Sequence, residues 1–354
     1  MLTLLLLVAT SGIAQFNVLD YERLSVTHGI PSAPISGIVQ DHRGYLWIGT
    51  PIGLFRYNGL SSRHFISDGS ANGLPDNSIK QIEFFDKKII CLTLGGSFIH
   101  DCNTERDTSL FLSGGPSIPA FLANNMTDAC SDGHGGIILL SRSGFLHVDS
   151  LLSKKYEYIH KDSLQPMGIS SSFGRFVFPM PDGQFIIGGN HGLSAYDPLK
   201  KSTTPLSPGM YPDLDSFSSD RSAYVFELGP FEYLFFSRHQ GTLLYYHALT
   251  GVKFSLTVGI DALDLLRWNT QLHSINDSLH YFLLPGKGTM DLIIDRAGKQ
   301  MSLNPLHDKD ILPITMLVDQ DHRIWLGAQN GVYKQRDQLS RIRKTAPAFD
   351  VQQP

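Results

Sequence analysis

The feature that most constrains the fold is one pattern of short strands and glycine turns that recurs along the chain. Each copy contains a strand, a reversal, a second strand, a turn that ends at glycine, and a third strand. Seven glycines open the third strands: Gly53, Gly96, Gly144, Gly192, Gly241, Gly288 and Gly331. The intervals between them are 43 to 49 residues, and such a period with several strands per unit is typical of a β-propeller. The sequence therefore predicts an all-β fold, a seven-bladed β-propeller of four-stranded antiparallel blades.

The clearest copy of the pattern spans residues 35–57, with the sequence ISGIVQDHRGYLWIGTPIGLFRY. Its reversal contains Asp41 and Gly44, which suit a turn because Asp bonds its own backbone and Gly tolerates positive φ. Its second strand, around Leu46 to Ile48, is apolar on both faces, which predicts a sheet that is covered on both sides. A similar copy, ITMLVDQDHRIWLGAQNGVYK, spans residues 314–334, and five degenerate copies lie between the two.

The repeat also predicts where each blade lies. Cores of three inner strands are expected at residues 35–57, 79–101, 125–149, 173–197, 223–247, 271–295 and 314–334. Fourth, outermost strands and loops fill the intervals. Ile260 to Trp268 could form one or two turns of amphipathic helix, but we expect it to serve as a connection before the sixth blade. A further strand, from Tyr21 to Val26, precedes the first core. We expect it to pair near Val332–Tyr333 and complete the seventh blade, because closure removes sheet edges that would aggregate.

Composition excludes several classes of function. Charged residues make up 18% of the chain, the formal net charge is -4, and Lys and Arg form no cluster, so nothing indicates nucleic-acid binding. The hydrophobic content of 42% is enough for a core and argues against disorder. Cys91, Cys102 and Cys130 lack C-x-x-C spacing, which argues against zinc and against a redox pair. We expect buried thiols, with a Cys91–Cys102 disulfide as the alternative.

The two ends of the chain differ from the repeats. Residues 1–14, MLTLLLLVATSGIA, have the apolar core and small residues of a secretory signal peptide, with cleavage after Ala14. The usual basic residue is missing, so the start could lie upstream, and a buried first strand is the alternative. No later run reaches the ~18 uncharged apolar residues of a membrane helix. We predict an exported single propeller domain at residues 15–345 and a disordered tail at residues 346–354.

The first copy has the residues of a known family at specific positions. Leu74-Pro75-Asp76-Asn77-Ser78-Ile79, with the stretches Asp41–Thr50 and Gly53–Tyr57, resembles the two-component regulator propeller repeat. That family aligns a turn Asp and Gly, then Leu-Trp-Ile-Gly-Thr, then Gly-Leu and an aromatic residue. The last copy keeps five of these positions, namely Asp319, Trp325, Gly327, Gly331 and Tyr333. The middle copies keep only the spacing, so the resemblance spans about residues 18–340 and is specific at its two ends.

The resemblance implies a role in signalling. Members of the family are periplasmic sensor modules of hybrid or ordinary histidine kinases in Bacteroidetes-type bacteria. In those proteins a sandwich domain, a membrane helix and a cytoplasmic kinase follow the propeller, and this sequence contains none of them. The resemblance therefore implies a sensor propeller alone, either a fragment or a truncated product. Its implied partners are a downstream sensor kinase module or a second propeller.

The conspicuous side chains of the repeat have structural explanations. Trp47 and Trp325 could stack on a ligand, but one fixed place on a strand covered on both faces favours packing between blades. The turn aspartates could hold calcium, but their recurrence in reversals favours capping of the turn; they are Asp41, Asp132, Asp182 and Asp319. No hydrolase, metalloprotease or phosphate-binding motif is present. The 14 histidines lack ligand spacing, and we expect most of them at the surface. We predict no metal site and no cofactor.

One set of polar residues is a candidate binding site. The turns between second and third strands lie on the same face of a propeller as the connections between blades, around the central channel. Converging loops on a rigid scaffold are a common way to build a pocket. The polar residues of these turns are Arg142, Asn190, His191, Arg238, His239, Gln240, Lys287, Gln329 and Asn330. Arg, His, Asn and Gln suit a carbohydrate or another small anionic or polar ligand, although turns are polar in any protein.

Three functions fit the sequence. The first is a periplasmic ligand-sensing or interaction propeller of a two-component system, non-catalytic in itself. The second is a propeller enzyme, a glycan hydrolase or lyase; an Asp-x-x-Gly-x-x-Trp stretch at residues 41–47 resembles the Asp-box of sialidases, but no pair of placed carboxylates is evident. The third is a free periplasmic scaffold that binds a protein. A homodimer is compatible with each of them.

Overall fold

The chain forms a ring of small antiparallel sheets. The computed structural model describes residues 21–24, 26–111, 124–141, 144–150, 155–160, 174–180, 182–189, 192–200, 202–205, 223–237, 240–247, 249–259, 270–284, 288–305 and 311–336. These residues form 28 strands and one turn of 3-10 helix, Val26–His28. The strands make seven four-stranded sheets. The predicted seven-bladed β-propeller is therefore confirmed.

The strands are numbered along the chain from β1 (Tyr21–Arg23), which belongs to the last blade. Blade 1 contains β2 (Gly37–Gln40), β3 (Leu46–Thr50), β4 (Gly53–Tyr57) and β5 (Ser62–Phe65). Blade 2 contains β6 (Ile79–Phe85), β7 (Lys88–Thr93), β8 (Ser97–Asp101) and β9 (Arg106–Leu110). Blade 3 contains β10 (Met126–Ser131), β11 (Ile137–Ser141), β12 (Gly144–Ser150) and β13 (Lys155–His160).

Four further blades follow in the same order. Blade 4 contains β14 (Gly174–Pro179), β15 (Phe185–Gly189), β16 (Gly192–Asp197) and β17 (Ser202–Pro205). Blade 5 contains β18 (Ala223–Gly229), β19 (Glu232–Ser237), β20 (Thr242–His247) and β21 (Lys253–Thr257). Blade 6 contains β22 (Gln271–Ser274), β23 (Leu279–Leu284), β24 (Gly288–Asp295) and β25 (Gln300–Pro305). Blade 7 contains β26 (Pro313–Val318), β27 (Ile324–Ala328), β28 (Gly331–Gln335) and β1. In each blade, the strand that follows the connection from the preceding blade is innermost. For example, β2 contacts β6 and β26, and β10 contacts β6 and β14.

The ring is closed by pairing between two strands of blade 7, the first and the last of the chain. Strand β1 pairs antiparallel with β28, with Arg23 opposite Tyr333 and Tyr21 opposite Gln335. The Leu24 amide extends the pairing by donating to the Val332 carbonyl at 2.9 Å. The sequence predicted this partner strand, and the prediction is confirmed. The first residues of the propeller thus complete its last sheet.

The turn aspartates cap their reversals and, in two blades, also anchor the tryptophan. Asp41 Oδ1 accepts the amides of Arg43 and Tyr45, while its Oδ2 accepts the indole N–H of Trp47 at 2.8 Å. In blade 7, Asp319 Oδ2 accepts the indole N–H of Trp325 at the same distance. Asp132 and Asp182 likewise accept amides of their own turns. Capping of the turns is confirmed, but the bond from carboxylate to indole was not foreseen.

The tryptophans pack between blades, as predicted. Trp47 is fully buried with apolar residues of blades 1 and 2, and Trp325 packs against blade 1. The glycine two residues after each tryptophan leaves room for the next blade. A Cβ built on Gly49 would lie 2.7 Å from Ile79 of blade 2, and one on Gly327 would lie 2.6 Å from Ile35 of blade 1. Any larger residue would push the neighbouring blade outward.

Other expectations are refined. Five of the repeat glycines open third strands, whereas Gly96 and Gly241 lie one residue before β8 and β20. Cys91, Cys102 and Cys130 are free and buried, so the alternative of a disulfide is wrong. The expectation that histidines lie at the surface fails for His100 and His280, which are buried.

Several predicted segments lie outside the described residues. These are the signal peptide at residues 1–14, the stretch Ile260 to Trp268, and the tail at residues 346–354. Within the part of the chain that the structure describes, no helix is long and apolar enough to cross a membrane.

Candidate binding face

One face of the ring carries both the turns between second and third strands and the connections between blades. We call it the upper face. The Ile35 amide, just before β2, donates to the Ala328 carbonyl beside the turn of blade 7. A Cβ built on Gly95, in the turn of blade 2, would lie 3.2 Å from the Pro75 carbonyl oxygen in the connection that precedes this blade. The arrangement assumed for the candidate binding site is therefore present.

Three of the nine predicted binding residues lie within the described residues. Gln240 is exposed on the turn of blade 5, and Gln329 with Asn330 is exposed on the turn of blade 7. The other six lie outside the described residues, namely Arg142, Asn190, His191, Arg238, His239 and Lys287. For these six, the predicted role in binding stays a prediction.

Asn330 has a structural role at the ring closure. Its carbonyl oxygen accepts a hydrogen bond from Arg23 Nη2, and the same nitrogen donates to Ser32 Oγ at 2.8 Å. Its side-chain Oδ1 accepts the hydroxyl of Tyr333 at 3.0 Å. Because Arg23 belongs to β1, these bonds fasten the closing strand to the upper-face turn of blade 7. Gln329, which precedes Asn330 in this turn, is exposed as well.

A second polar group lies on the innermost strands, where blades 2, 3 and 4 meet. Gln81 Nε2 donates to Glu83 Oε1 at 2.7 Å within β6 and to Asp128 Oδ1 of β10 at 2.9 Å. Asp128 Oδ2 accepts the amide of Val177 in β14 at 2.9 Å. One amide therefore joins two carboxyl groups, and the chain of bonds continues across three blades. We call Gln81, Glu83 and Asp128 the carboxyl bridge.

The environment of the carboxyl bridge raises the pKa of both acids. Burial, and then the negative charge of Asp128, raise the pKa of Glu83 from its ordinary 4.5 to about 8, against a small lowering by the Gln81 bond. Burial raises the pKa of Asp128 from 3.8 to about 6, while the amides of Val177 and Ala129 oppose the change. A buried carboxyl is favoured in its neutral form because few waters remain to solvate the charge. At neutral pH the bridge therefore retains a proton on Glu83.

Irregular pairing helps to place these groups. The pairing of the innermost strand with the second strand shifts by one residue between Ile79 and Gln81 in β6, and between Met126 and Asp128 in β10. Equivalent shifts occur in β14 and β26. A bulge turns the following side chain to a new direction. In blade 2 the bulged residue is Lys80, whose ammonium donates to Asn125 Oδ1 before β10.

A related contact joins blades 6 and 7. Gln271 Oε1 accepts the amide of Met316 at 2.7 Å, and His273 Nε2 donates to the Met316 carbonyl at 2.9 Å. Burial lowers the pKa of His273, which keeps the ring neutral as a donor. Side chains of one innermost strand thus bind the backbone of the next between blades 3 and 4 and between blades 6 and 7. The sequence analysis did not identify these polar residues of the innermost strands. The acids Glu83 and Asp128, which lie within otherwise apolar first strands, were a usable signal.

Among the described residues, no group of three or more His, Cys, Asp or Glu could hold a metal ion. The cysteine thiols are buried, and burial raises the pKa of Cys102 to about 12, so it is not a reactive thiolate.

Comparison with known proteins identifies the repeat. Residues 29–51 match the family described as the two component regulator propeller. The resemblance to this repeat is confirmed. The match covers the connection before blade 1 and its first two strands, which include Asp41 and Trp47. No curated protein matched the sequence.

Solved structures resemble the whole ring. The extracellular domain described as that of hybrid two component system BT3049 from B. thetaiotaomicron is 17% identical, with a TM-score of 0.65 over 89% of this chain and 41% of its own. That of BT4673 from the same organism is 18% identical, with a TM-score of 0.62 over 92% of this chain and 42% of its own. The chain thus spans about two fifths of these domains. The virginiamycin B lyase of Staphylococcus aureus is 9% identical, with a TM-score of 0.61 over 89% of this chain and 98% of its own. At these identities the likeness shows the fold alone.

Proposed function

We propose that the protein is a periplasmic, non-catalytic propeller that senses a small polar ligand for a two-component system. The observation that carries this proposal is the regulator propeller repeat at residues 29–51, within a complete seven-bladed ring. Structures with the same fold include extracellular domains of two-component systems. A sensor of this kind transmits through another module, so a kinase or a further domain is the proposed downstream partner.

The proposed ligand site is the upper face. Its turns carry amide, imidazole, guanidinium and ammonium side chains, which are suited to carboxylate, sulfate or hydroxyl groups of a saccharide. Gln240 and Gln329 are exposed on this face. We expect Arg238 and Lys287 to supply positive charge beside them, which gives acidic saccharides an advantage over neutral ones.

The test is calorimetric titration of the purified chain with acidic oligosaccharides, their neutral counterparts, and inorganic sulfate as an ion control. Saturable binding that Arg238→Ala weakens, and that Lys88→Ala on the opposite side of blade 2 does not, supports the proposal. Lys88 is a suitable control because it follows the turn between first and second strands, away from the upper face. Equal effects of the two substitutions, or no binding by any saccharide, would contradict the proposed site.

A second candidate is a propeller enzyme that acts on glycans. The observation that favours it is the carboxyl bridge, because a protonated and an ionised carboxyl side by side are the groups that glycoside hydrolysis requires. The discriminating assay measures new reducing ends after incubation with a polysaccharide panel. Product formation that Glu83→Gln abolishes would favour the enzyme and would contradict the proposal of a non-catalytic sensor.

A further inference from the structure

One place on the innermost strands makes a polar contact with the next blade. It is the residue opposite the next-to-last residue of the second strand, and in β6, β10 and β22 it is Gln81, Asp128 and Gln271. Asp128 Oδ2 accepts the Val177 amide of β14. In the same way, Gln271 Oε1 accepts the Met316 amide of β26. The same contact is therefore made by an ionisable group between blades 3 and 4 and by a neutral group between blades 6 and 7.

Gln81 makes this contact with a side chain of the next blade. Its Nε2 donates to Asp128 Oδ1 of blade 3 and also to Glu83 Oε1 of its own strand. Because one nitrogen binds both oxygens, the two carboxyl groups lie close together. Two ionised carboxylates in such an arrangement repel each other, and each disfavours the charged form of the other.

Protons can reach the carboxyl bridge from the central channel. Gln81, Glu83 and Asp128 each keep part of their surface exposed. Innermost strands border only neighbouring strands and the channel, so the exposed part faces the channel. The two acids therefore exchange protons with solvent, although burial raises the pKa of both.

Few other ionisable groups come from the strands packed against β6 and β10. These strands are β2, β3, β7, β11 and β14, and the sequences of β2, β3 and β11 contain no acidic or basic residue. Strand β7 carries Cys91, which packs toward blade 1, and Lys88, which donates to the Asp86 carbonyl at 3.3 Å. The Asp86 carboxylate accepts the Ser131 hydroxyl at the end of β10. Strand β14 carries Arg175 at its bulge. The charge that acts on one acid of the carboxyl bridge is that of the other.

We propose that the carboxyl bridge is a proton-operated clasp on the channel wall: one proton shared by its two acids keeps it closed, and loss of that proton releases β6 from β10. In the closed form, the Gln81 amide bonds to one neutral and one ionised carboxyl group. When the second acid ionises, its proton passes to solvent and the two carboxylates repel. Asp128 keeps two backbone partners, the amides of Val177 and Ala129. Glu83 and Gln81 are therefore the groups that move away.

Release of the clasp reaches the upper face. Strand β6 begins directly after the connection between blades 1 and 2. Lys80, at the bulge of β6, donates to Asn125 Oδ1 in the connection that precedes β10. A shift of β6 against β10 therefore moves both connections. The clasp needs no ligand, so it operates whether or not the upper face binds a saccharide.

The direction of the pH dependence follows from the shared proton. The closed form holds this proton and the open form does not. Opening therefore becomes more favourable as pH rises from 4.5, the ordinary pKa of a glutamate, to about 8, the pKa of Glu83 in the closed form. Above that value both forms are ionised, and the opening equilibrium no longer changes with pH.

The test is hydrogen exchange, measured by mass spectrometry on the purified chain at pH 5, 6, 7 and 8. At each pH the exchange rate of wild type is divided by that of Glu83→Gln, which keeps an acceptor and cannot ionise, so the intrinsic pH dependence of exchange cancels. In β6 and β10 this ratio should be at least about tenfold higher at pH 8 than at pH 5. In β22 and β26 it should rise far less. An equal rise in all four strands, which would report global stability alone, or a flat ratio in β6 and β10 overturns the proposal.

Two matched variants test the role of the bridging amide. Gln81→Met keeps the length of the side chain but has no N–H donor, so β6 and β10 should exchange faster than in wild type already at pH 5 and depend less on pH. Gln271→Met removes the equivalent contact of blade 6 and should leave the pH dependence of β6 and β10 as in wild type. If Gln81→Met keeps the wild-type pH dependence, or Gln271→Met loses it, the proposal is wrong.

A spectroscopic measurement on wild type needs no substituted acid. With glutamine isotopically labelled, the side-chain amide signals of Gln81 and Gln271 are followed by nuclear magnetic resonance, and the two variants assign them. The Gln81 signal should shift between pH 5 and pH 8, whereas the Gln271 signal should not. A Gln81 signal that does not titrate, or one that titrates as that of Gln271 does, overturns the proposal.

Discussion

The carboxyl bridge makes a quantitative prediction for Glu83→Gln. Glutamine keeps an oxygen that can accept the Gln81 bond but cannot ionise. In the folded protein the pKa of Glu83 is about 8, against an ordinary 4.5. Because the folded pKa is raised, the folded state holds a proton that the unfolded chain releases between these two values. The free energy of unfolding therefore falls as pH rises through this window and levels off above it.

The magnitude follows from the same two values. Each pKa unit corresponds to about 1.4 kcal/mol, and pH 7 lies roughly 2.5 units above the unfolded pKa, so the penalty at pH 7 is at most about 3.5 kcal/mol. The side chain of Glu83 is only partly buried. Solvent therefore reduces the penalty, and we expect about 2 kcal/mol. Asp128 adds a similar trend at lower pH, between 3.8 and about 6.

The measurement is urea unfolding at pH 5, 6, 7 and 8. Glu83→Gln should match wild type near pH 5 and exceed it increasingly toward pH 8. Glu227→Gln, on the innermost strand of blade 5 and exposed, controls for the loss of one negative charge. Parallel pH profiles for wild type and Glu83→Gln would refute the reasoning, since they would show that Glu83 titrates alike in both states.

Three further predictions concern the ring. Gly327→Ala should lower the free energy of unfolding by about 1–3 kcal/mol, because the new Cβ pushes on blade 1. Gly229→Ala should cost far less, because its Cβ would lie 3.7 Å from the nearest neighbouring atom. Equal losses of stability in urea unfolding would contradict the packing account. Asp41→Asn should cost about 1–3 kcal/mol, because an NH2 group replaces one carboxylate oxygen and the single remaining acceptor cannot serve both the turn amides and the Trp47 indole N–H. An unchanged urea midpoint would contradict this account. Arg23→Ala removes the bonds from the closing strand to the upper-face turn of blade 7. Amide hydrogen exchange should therefore become faster in β28 and stay unchanged in β3. The same change of rate in both strands would contradict this role of Arg23.

The sequence predicted the fold because its decisive signals are local. A glycine at the end of each turn, at a steady period, is sufficient to count the blades. The place of ring closure followed from the leftover strand around Tyr21, which had to pair with an open edge, and the only such edge was that of the last copy. Trp47 was assigned correctly to packing between blades because it holds a fixed position on a strand that is covered on both faces.

The carboxyl bridge could not be predicted in the same way. Glu83 and Asp128 belong to different blades, and their approach depends on how neighbouring innermost strands are offset. That offset is set by side-chain packing and by a bulge before Asp128, since the blades are separate hydrogen-bonded sheets in the part of the chain that the structure describes. The indole bond to Asp41 was missed for a related reason, because strand periodicity specifies a face and gives no side-chain rotamer.

The noncovalent seam of the ring lies inside blade 7, where β1 pairs with β28. Strand β1 contributes only the three residues Tyr21–Arg23 to this sheet, and the chain runs on from it into blade 1. Each of the other six blades is formed by four consecutive strands, so a weak contact inside one of them does not open the ring. At the seam, only packing and hydrogen bonds resist opening. The two strict copies of the repeat form the blades on either side of the connection that follows β1, and the buried bonds from Trp325 to Asp319 and from Trp47 to Asp41 fix the inner strands of these two blades against their turns.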